Sequence, residues 1–335
     1  MTPPADHPAI PPAKVGVLIV NLGTPDAAEA SAVRRYLAEF LSDPRVIEIP
    51  RLIWKPILHG VILRTRPRKS AHAYSLVWRE DGSPLAAITA EQAAALRARF
   101  GDAVMVEHAM RYGRPAIAET IAAMKAGGCE RILFAPLYPQ YCAATTATAN
   151  DAAFAALAMM RWQPAIRTLP PYHDDPAYIG ALKANIEASL AALPFEPDAI
   201  VASFHGMPAR TLTLGDPYHC HCQKTARLLA EALGRELTVS FQSRFGRAKW
   251  LGPATDVTLA GLPAKGAKRV AVVAPGFSAD CLETLEGLAI RGKQTFLDAG
   301  GTDFAYLPCL NADQSSIDML HLLLRRELAG WTKAS

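Results

Sequence analysis

The chain has 335 residues, which is too long for one domain of ordinary size and suits two domains of about 150 residues each. Half of the residues are hydrophobic and 20% are charged, so the composition excludes a disordered protein. A net charge of +4 suits an anionic ligand or a membrane surface and is too small to indicate nucleic-acid binding. No run of about 18 apolar residues is present, so no spanning helix is expected.

The N-terminus is rich in proline and lacks the charged and then apolar order of a signal peptide. We therefore expect residues 1–14 to form a disordered tail and the protein to be cytoplasmic. The cysteines are scattered, and a cytosolic chain does not rely on disulfides, so free thiols are expected. The six positions are Cys129, Cys142, Cys220, Cys222, Cys281 and Cys309.

The first half of the chain alternates apolar runs, typical of strands buried on both faces, with patterns of helical spacing. Strands are predicted over 15–20, 103–109 and 131–135, and helices over 31–41, 86–99, 115–126 and 150–160. The apolar stretch 53–63 runs into a cluster of cations at 64–69. This pattern suits an interfacial segment at an anionic surface, and equally a core-packed helix with a solvated basic end.

The second half repeats the alternation after a proline-containing linker at 167–175. Strands are predicted over 199–205, 237–241 and 269–274, and helices over 178–190, 224–233, 256–262, 283–299 and 315–329. Residues 19–25 resemble 202–208, and 131–136 resemble 269–275. The predicted fold class is α/β, with two similar halves at 15–150 and 151–312, a cleft between their parallel sheets, and a C-terminal helix at 313–335.

His205 ends the apolar strand 199–205, and the Gly and Pro that follow turn the chain. Open α/β sheets place their ligands at the carboxyl ends of parallel strands, and imidazole exchanges protons near neutral pH. Glu283 and Glu286 begin the helix after another strand, on neighbouring positions of one face, with Ser278 or Asp280 as the expected N-cap. Carboxylates in a first helical turn also serve only to favour the helix dipole, so that alternative stays open for both.

Aromatic residues also follow predicted strand ends, in the stretches 138–141, 241–245 and 250–253. A pocket lined by such rings, with one histidine and one or two carboxylates, suits a large flat apolar ligand that needs proton transfer or metal handling at its centre. Each aromatic side chain taken alone is as well explained by ordinary core packing.

Seven short stretches together resemble ferrochelatase, the enzyme that inserts ferrous iron into protoporphyrin IX to complete haem. They are residues 20–25, 138–141, 203–208, 215–218, 241–244, 250–253 and 280–285, and the resemblance runs from about Val15 to Leu324. It implies the class II chelatase fold, with two Rossmann-like halves, parallel four-stranded sheets and the porphyrin in the cleft. It also implies catalysis without a nucleotide or a required cofactor.

The family's active-site histidine matches His205, and its catalytic carboxylate matches Glu283. A neutral imidazole accepts pyrrole protons or ligates the metal, and a carboxylate relays protons or holds the Fe²⁺ substrate, so the division of roles between the two stays open. The resemblance carries over further substrate-binding positions, namely Tyr141, Tyr218, Gln242, Ser243, Trp250 and Arg111.

Two positions depart from the family pattern. Gly287 stands where many relatives carry a second acidic residue, so either Glu286 substitutes for it or the outer end of an acidic track is absent. Cys281 stands where animal enzymes have a second histidine, a replacement that bacterial relatives share. We therefore do not interpret Cys281 as a nucleophile.

Some ferrochelatases hold a [2Fe–2S] cluster, with one ligand directly after the Tyr-Pro-Gln-Tyr motif, where this chain has Cys142. Cys220 and Cys222 would supply two more thiolates, and four protein ligands are needed. The candidates for the fourth are Cys129, Cys309, His219 and His221. The sequence leaves the presence of a cluster open.

Three alternatives stay in view: a coproporphyrin ferrochelatase, another chelatase that inserts cobalt or nickel into a corrin-type ring, and a non-catalytic haem or porphyrin carrier. The apolar segment 54–62 favours protoporphyrin, which is delivered from a membrane. The expected partners are protoporphyrin IX and Fe²⁺, with peripheral contact to the inner membrane at its cytoplasmic face and with neither nucleic acid nor nucleotide.

Overall fold

The computed structural model describes residues 6–7, 11–246 and 248–332, so most of the tail expected at 1–14 lies outside the described residues. Two four-stranded parallel sheets form the centre of the protein, in the orders β2-β1-β3-β4 and β6-β5-β7-β8. The strands are β1 Lys14–Gly23, β2 Met105–Tyr112, β3 Cys129–Pro136, β4 Ala165–Thr168, β5 Ala199–His205, β6 Leu237–Gln242, β7 Arg269–Val273 and β8 Asp303–Tyr306. The predicted α/β fold with two parallel sheets is confirmed.

Helices connect the parallel strands, as parallel pairing requires. They are α1 Ala30–Phe40, α2 Arg51–Ile57, α3 Leu63–Ser75, α4 Pro84–Phe100, α5 Ile117–Ala126, α6 Thr148–Ala158, α7 Pro176–Ala191, α8 Ala209–Thr213, α9 Tyr218–Leu233, α10 Thr255–Gly261, α11 Leu282–Thr284, α12 Lys293–Asp298 and α13 Gln314–Glu327. Among the described residues, no helix is both long and apolar enough to cross a bilayer.

Within the described residues, three π-helical segments adjoin the regular helices, at Leu58–Ile62, Ala143–Ala147 and Leu285–Gly292. The first joins α2 to α3, so the apolar stretch and the cation cluster predicted at 53–69 belong to one helical segment. The third joins α11 to α12, so the helix predicted over 283–299 is present with an irregular middle. Such π-helical turns occur frequently at functional sites.

The two short edge strands, β4 and β8, were not predicted. The four residues of β8 and three of the four in β4 are half-buried, with Ala165 exposed, and each strand pairs on one side only. Neither therefore shows the continuous apolar run of a central strand. Because β4 pairs with β3, the N-terminal sheet extends beyond residue 150, where the sequence placed the boundary between the halves. The remaining boundaries stay predictions.

One buried cluster of apolar side chains spans both halves. It contains Val17 of β1 and Leu133 of β3 together with Phe204 of β5 and Leu324 of α13. The helix α13 packs on α7 of the second half and on α4 and β3 of the first. The two halves therefore share a core and we expect them to unfold together.

Replacement of Leu324 by Ala tests the shared core, because this side chain is fully buried on α13. We expect Leu324→Ala to lower the free energy of unfolding by about 2–5 kcal/mol, with one transition in urea by both circular dichroism and tryptophan fluorescence. Leu322→Ala on the same helix is the control, because Leu322 is 44% exposed and its loss should cost about 0.5 kcal/mol or less. Two separate transitions would contradict a shared core.

Candidate functional site

Three of the residues singled out in the sequence lie at the carboxyl ends of neighbouring strands in the C-terminal sheet. His205 ends β5 and pairs in register with Gln242, which ends β6. Glu283 lies in α11, which follows β7 on the other side of β5. Parallel pairing therefore places all three at one edge of one sheet, where α/β proteins bind ligands.

The imidazole of His205 is half-buried and has a defined hydrogen bond. Its Nδ1 lies 2.7 Å from the carbonyl oxygen of Gly206, and a carbonyl only accepts, so Nδ1 carries the proton in the neutral ring. The lone pair is then on Nε2. The hydroxyl of Tyr218, at the start of α9, donates to the His205 carbonyl at 3.0 Å, and the ring of Phe277 lies 6.5 Å away between centroids. The backbone and ring of His205 are therefore both held in place.

The glycine after His205 is required by a close approach of two chains. The Gly206 amide donates to the Gln242 carbonyl at 2.7 Å, and a Cβ at position 206 would lie 2.5 Å from that oxygen. It would also lie 3.4 Å from the ring of Trp250. A bridge between Pro208 and Trp250 continues the contact, so Trp250 packs beside the loop that carries His205.

Gln242 is buried, and only one end of its side-chain amide has a partner. Its Oε1 accepts from Ser203 Oγ at 3.4 Å, whereas Nε2 has no partner among the residues that the structure describes. Ser203 in turn contacts Thr255 Oγ1 at 2.9 Å, and Thr255 contacts Ser240 Oγ at 2.9 Å. A buried donor without a partner is costly, so Nε2 is a candidate group for binding a ligand. The next residue, Ser243, is exposed and has φ +67°.

Glu283 is half-buried among phenolic side chains. Burial raises the pKa of Tyr36 and Tyr74 well above the usual range, and the negative charge of Glu283 raises both further. Both phenols therefore stay protonated beside the carboxylate. Glu286, one turn on, pairs with Arg291 Nε at 2.8 Å, so its carboxylate is already engaged.

The cap of the helix that carries Glu283 differs from the prediction. Ser278 and Asp280 were the expected caps, but Cys281 is the N-cap, in a capping box with Thr284. The Asp280 carboxylate is instead bound by Tyr306, Thr284 and Asn311. Burial raises the pKa of the Cys281 thiol well above its usual range, which agrees with the prediction that it is no nucleophile.

Arg111 lies near the carboxyl end of β2, in the other sheet. Its Nε donates to the carbonyl of Thr148 at 2.9 Å and to its hydroxyl at 2.7 Å, and its guanidinium pairs with Asp43 and stacks on the ring of Tyr112 at 4.3 Å. Asp43 also accepts from the Thr148 and Tyr112 hydroxyls and from the Arg45 amide. Arg111 is thus fixed by the protein itself, and its contact with substrate stays a prediction.

The Tyr-Pro-Gln-Tyr stretch joins the two halves. Gln140 is buried and its Nε2 donates to Thr225 Oγ1 of α9 at 3.0 Å. The amide of Tyr141 donates to His221 Nδ1 at 3.2 Å, and the ring of His221 stacks on that of His173 at 3.6 Å. These bonds place the half-buried Tyr141 and the buried Tyr218, the first residue of α9, on connected elements.

Two of the three cysteines suggested as cluster ligands lie near each other, because the charge of Cys142 raises the pKa of the Cys222 thiol. Cys142 and Cys222 are buried, and burial raises the pKa of both thiols well above their usual range, whereas Cys220 is exposed. Residues two apart on a helix point about 200° apart, so Cys220 and Cys222 face different sides of α9. Within 6–7, 11–246 and 248–332, no three His, Cys, Asp or Glu side chains are arranged to hold a metal ion. The [2Fe–2S] cluster therefore stays a prediction from the family resemblance.

Sequence reasoning missed three polar residues that hold the site elements together, namely the buried Asp43 and Gln92 and the half-buried Asn311. Asp43 binds Arg111, which is 68 residues away in the sequence, and Gln92 binds Asn311, which is 219 residues away. A single sequence carries no signal for such pairs. The burial of a lone Asp or Gln becomes visible only in the fold.

Substitution of Asp43 by Asn tests how Arg111 is held. Burial raises the pKa of Asp43, but hydrogen bonds from Thr148, Arg45 and Tyr112 and the charge of Arg111 outweigh it, so the net pKa is lowered. Because the pKa of Asp43 is lower in the folded protein than the value of about 3.9 in the unfolded chain, the ionised carboxylate stabilises the folded state at pH values above about 3.9. This stabilisation is lost as the pH falls below that value and through the folded pKa. We expect Asp43→Asn to cost about 3 kcal/mol in the free energy of unfolding at pH 7, and less below about pH 4.

Urea unfolding between pH 7 and pH 3.5 measures this difference. Asp151→Asn is the matched control, because Asp151 pairs with Arg45 at an exposed position and its loss should cost under about 1 kcal/mol. A difference between wild type and Asp43→Asn that stays constant down to pH 3.5 would rule out the ionised Asp43 as its source.

Comparison with solved structures identifies the fold. SirB from Bacillus subtilis, solved with Fe³⁺, superposes with a TM-score of 0.58 over 95% of this chain and 97% of that one, at 13% sequence identity. CbiX, the terminal enzyme for biosynthesis of sirohaem in denitrifying bacteria, gives a TM-score of 0.52 over 94% of this chain and 100% of that one, at 16% identity. The fold is that of the class II chelatases, as the resemblance implied.

Comparison of sequences identifies the family. The ferrochelatase family profile matches residues 14–328. A ferrochelatase of Rhizobium meliloti (strain 1021) is 55% identical over 333 residues, covering 97% of this chain and 98% of that one. Ferrochelatases of Agrobacterium fabrum (strain C58 / ATCC 33970) and Azoarcus sp. (strain BH72) are 53% and 52% identical, covering 98% and 96% of this chain and 97% and 90% of theirs. The chain that places His205 and Glu283 at one sheet edge belongs to the ferrochelatase family.

Proposed function

We propose that this protein inserts Fe²⁺ into protoporphyrin IX to form protohaem, the last step of haem synthesis, with His205 and Glu283 as the reacting pair. The observation that carries the assignment of His205 is its hydrogen bond from Nδ1 to the Gly206 carbonyl, which leaves the Nε2 lone pair free. Glu283 lies at the same edge of the same sheet, on the connection that follows the neighbouring strand.

Metal insertion requires that two protons leave the porphyrin. The free base carries two pyrrole N–H groups, and the metalloporphyrin forms as Fe²⁺ replaces both protons, so one dication enters and two protons depart. His205 Nε2 accepts a pyrrole proton as a general base. The imidazolium that forms keeps its Nδ1–H bond to the Gly206 carbonyl, and this dipole stabilises the new positive charge.

Glu283 supplies the negative charge at the site. Carboxylate oxygens and imidazole nitrogen both bind Fe²⁺, so Glu283 holds the ion while it loses water and then accepts the remaining proton. The protonated phenols of Tyr36 and Tyr74 lie close enough for the charge of Glu283 to raise the pKa of each.

The remaining carried-over residues line the porphyrin site in this proposal. Trp250 packs beside the His205 loop. Gln242 offers a buried N–H that has no partner within the described part of the chain, which suits an acceptor atom of the bound ring. Ser243 is exposed beside it. Tyr218 holds the backbone of His205 by a hydrogen bond to its carbonyl. Tyr141 and Arg111, which is bound by Asp43, form the wall of the porphyrin site that the first half contributes.

An exposed apolar surface supports contact with a membrane. Leu52, Ile53 and Val61 are 91%, 59% and 54% exposed on the helical segment of α2 and α3. The same segment carries exposed cations at Arg51, Lys55, Arg64, Arg66, Arg68 and Lys69. Apolar side chains beside cations suit the headgroup region of an anionic bilayer. We infer peripheral binding to the cytoplasmic face of the inner membrane, from which an apolar porphyrin is taken up.

The [2Fe–2S] cluster stays a prediction from family resemblance, and no step of the reaction depends on it. Of its three suggested ligands, Cys142 and Cys222 are buried near each other, whereas Cys220 is exposed. The absorbance spectrum of protein purified without oxygen tests it. Visible bands that dithionite bleaches would support a cluster, whereas a colourless protein would leave the cysteines as thiols.

Anaerobic metallation of protoporphyrin IX by the purified protein tests the proposed pair. We expect His205→Ala and Glu283→Gln each to lower kcat by at least about 100-fold, because each removes a group that transfers a proton or holds the metal. Loss of the free-base absorbance bands reports the rate. His72→Ala and Glu231→Gln, which alter exposed residues on α3 and α9, are the matched controls and should react like wild type.

The outcomes separate the alternatives. Wild-type protein that binds protoporphyrin without metallating it would favour a carrier, and faster metallation of coproporphyrin would favour that substrate instead. Wild-type rates in either variant would remove that residue from the reacting pair.

Flotation with anionic lipid vesicles tests the membrane surface. We expect wild type to float at low salt and to float less as salt rises, and Leu52→Gln/Ile53→Gln to stay at the bottom, because the change removes apolar side chains that enter the bilayer. Met159→Gln is the control, since Met159 is also apolar and 87% exposed but lies on another element. Wild-type protein that stays wholly at the bottom at low salt would contradict the proposal.

A further inference from the structure

Asn311 has an unusual backbone and a reciprocal bond to the segment before Glu283. Its φ is +49°, a left-handed conformation that asparagine tolerates better than most residues with a side chain. The Asp280 amide donates to Asn311 Oδ1 at 2.8 Å, and Asn311 Nδ2 donates to Asp280 Oδ2 at 2.7 Å. These two bonds, which we name the Asn311–Asp280 clamp, tie the chain after β8 to the chain that begins α11.

Other donors complete the surroundings of Asp280. The hydroxyl of Tyr306 donates to Asp280 Oδ1 at 2.6 Å, and the hydroxyl of Thr284 donates to the same oxygen at 2.9 Å. With Asn311 Nδ2, the buried carboxylate has three neutral donors. A carboxylate so bound serves to order its donors and has little capacity left for a metal ion.

The residues on both sides of Glu283 are hydrogen-bonded to one another and, through Asp280, to the clamp. Thr284, the residue after Glu283, donates to Asp280, and its oxygen accepts the amide of Cys281 at 3.0 Å. The helix α11 has only three residues before the π-helical segment, so its own backbone bonds give little support. The direction of the Glu283 side chain therefore depends on bonds made by the residues on each side of it.

The clamp also reaches the first half of the protein. Gln92 of α4 is fully buried, and its Nε2 donates to the carbonyl of Asn311 at 2.7 Å and to that of Ser278 at 3.2 Å. These carbonyls belong to the two strand-end loops that the clamp joins. The position of α11 is thus set from both sides of the cleft.

We propose that Asn311 is a positioning residue for Glu283, acting through Asp280 and Thr284. This inference rests on the proposed role of Glu283 in metal insertion. Residues that orient a metal-binding or proton-transferring side chain typically change activity 10- to 100-fold when they are removed. Asn311 touches neither the porphyrin nor the metal in this proposal, so its loss should alter kcat and leave porphyrin binding intact.

Asn311→Gly is the first test, because glycine keeps the positive φ and removes only the amide. We expect kcat for Fe²⁺ insertion to fall about 10- to 100-fold while the KM for protoporphyrin changes by less than about threefold. Asn185→Ala is the matched control. It removes the hydrogen bond from the Asn185 side-chain amide to the carbonyl of Pro308 at 2.9 Å. Pro308 lies in the same segment as Asn311, and the change leaves the bonds of Asp280 in place.

A double-mutant cycle with Glu283→Gln decides whether Asn311 acts through Glu283. We expect Asn311→Gly to slow the Glu283→Gln protein by less than about threefold, since the group that it positions is already neutral. Equal slowing in both backgrounds would overturn the proposal, as would a wild-type kcat for Asn311→Gly. A wild-type kcat for Glu283→Gln alone would instead overturn the proposed function of Glu283.

Thermal unfolding identifies a variant that merely fails to fold. If Asn311→Gly is unfolded at the assay temperature, Tyr306→Phe replaces it in the same cycle, because it removes one donor to Asp280 and keeps the ring. The same pattern of kcat, KM and non-additivity is expected of it. Additive losses in that variant would overturn the proposal.

Discussion

Parallel pairing of β5 with its two neighbours is the constraint on which the site depends. It brings the ends of β5 and β6 so close that the Gly206 amide binds the Gln242 carbonyl and no side chain fits at position 206. The same turn presents the Gly206 carbonyl to the His205 ring and thereby selects the tautomer. Backbone geometry thus determines which nitrogen of the imidazole is free for chemistry.

The sequence predicted those parts of the fold that local pattern specifies. Strands buried on both faces, such as β1, β5 and β7, give continuous apolar runs, and short edge strands such as β4 do not. The helix that contains Glu283 was predicted, but its N-cap was not. Asp is a preferred N-cap residue and Cys is not, yet the Asp280 carboxylate is bound by Asn311 and Cys281 takes the N-cap position.

The candidate site divides in the same way. His205 and Glu283 are recognisable because each lies in a short contiguous motif at a strand end. Asp43 and Asn311 are not recognisable in this way, because their importance comes from partners far away in the sequence. Asp43 binds Arg111, 68 residues away, and Asn311 binds Gln92, 219 residues away. Residues that perform chemistry are thus marked locally, whereas residues that hold them in place are defined by tertiary contacts.

The helix α13 has a consequence for synthesis of the protein. It covers α4 and β3 of the first half, yet it is made after both sheets are complete. Apolar surface of the first half therefore stays uncovered on the ribosome until residues 314–327 emerge, long after the N-terminal sheet can pair. Such a chain exposes a partly finished core during translation, which is the condition under which chaperones bind nascent proteins.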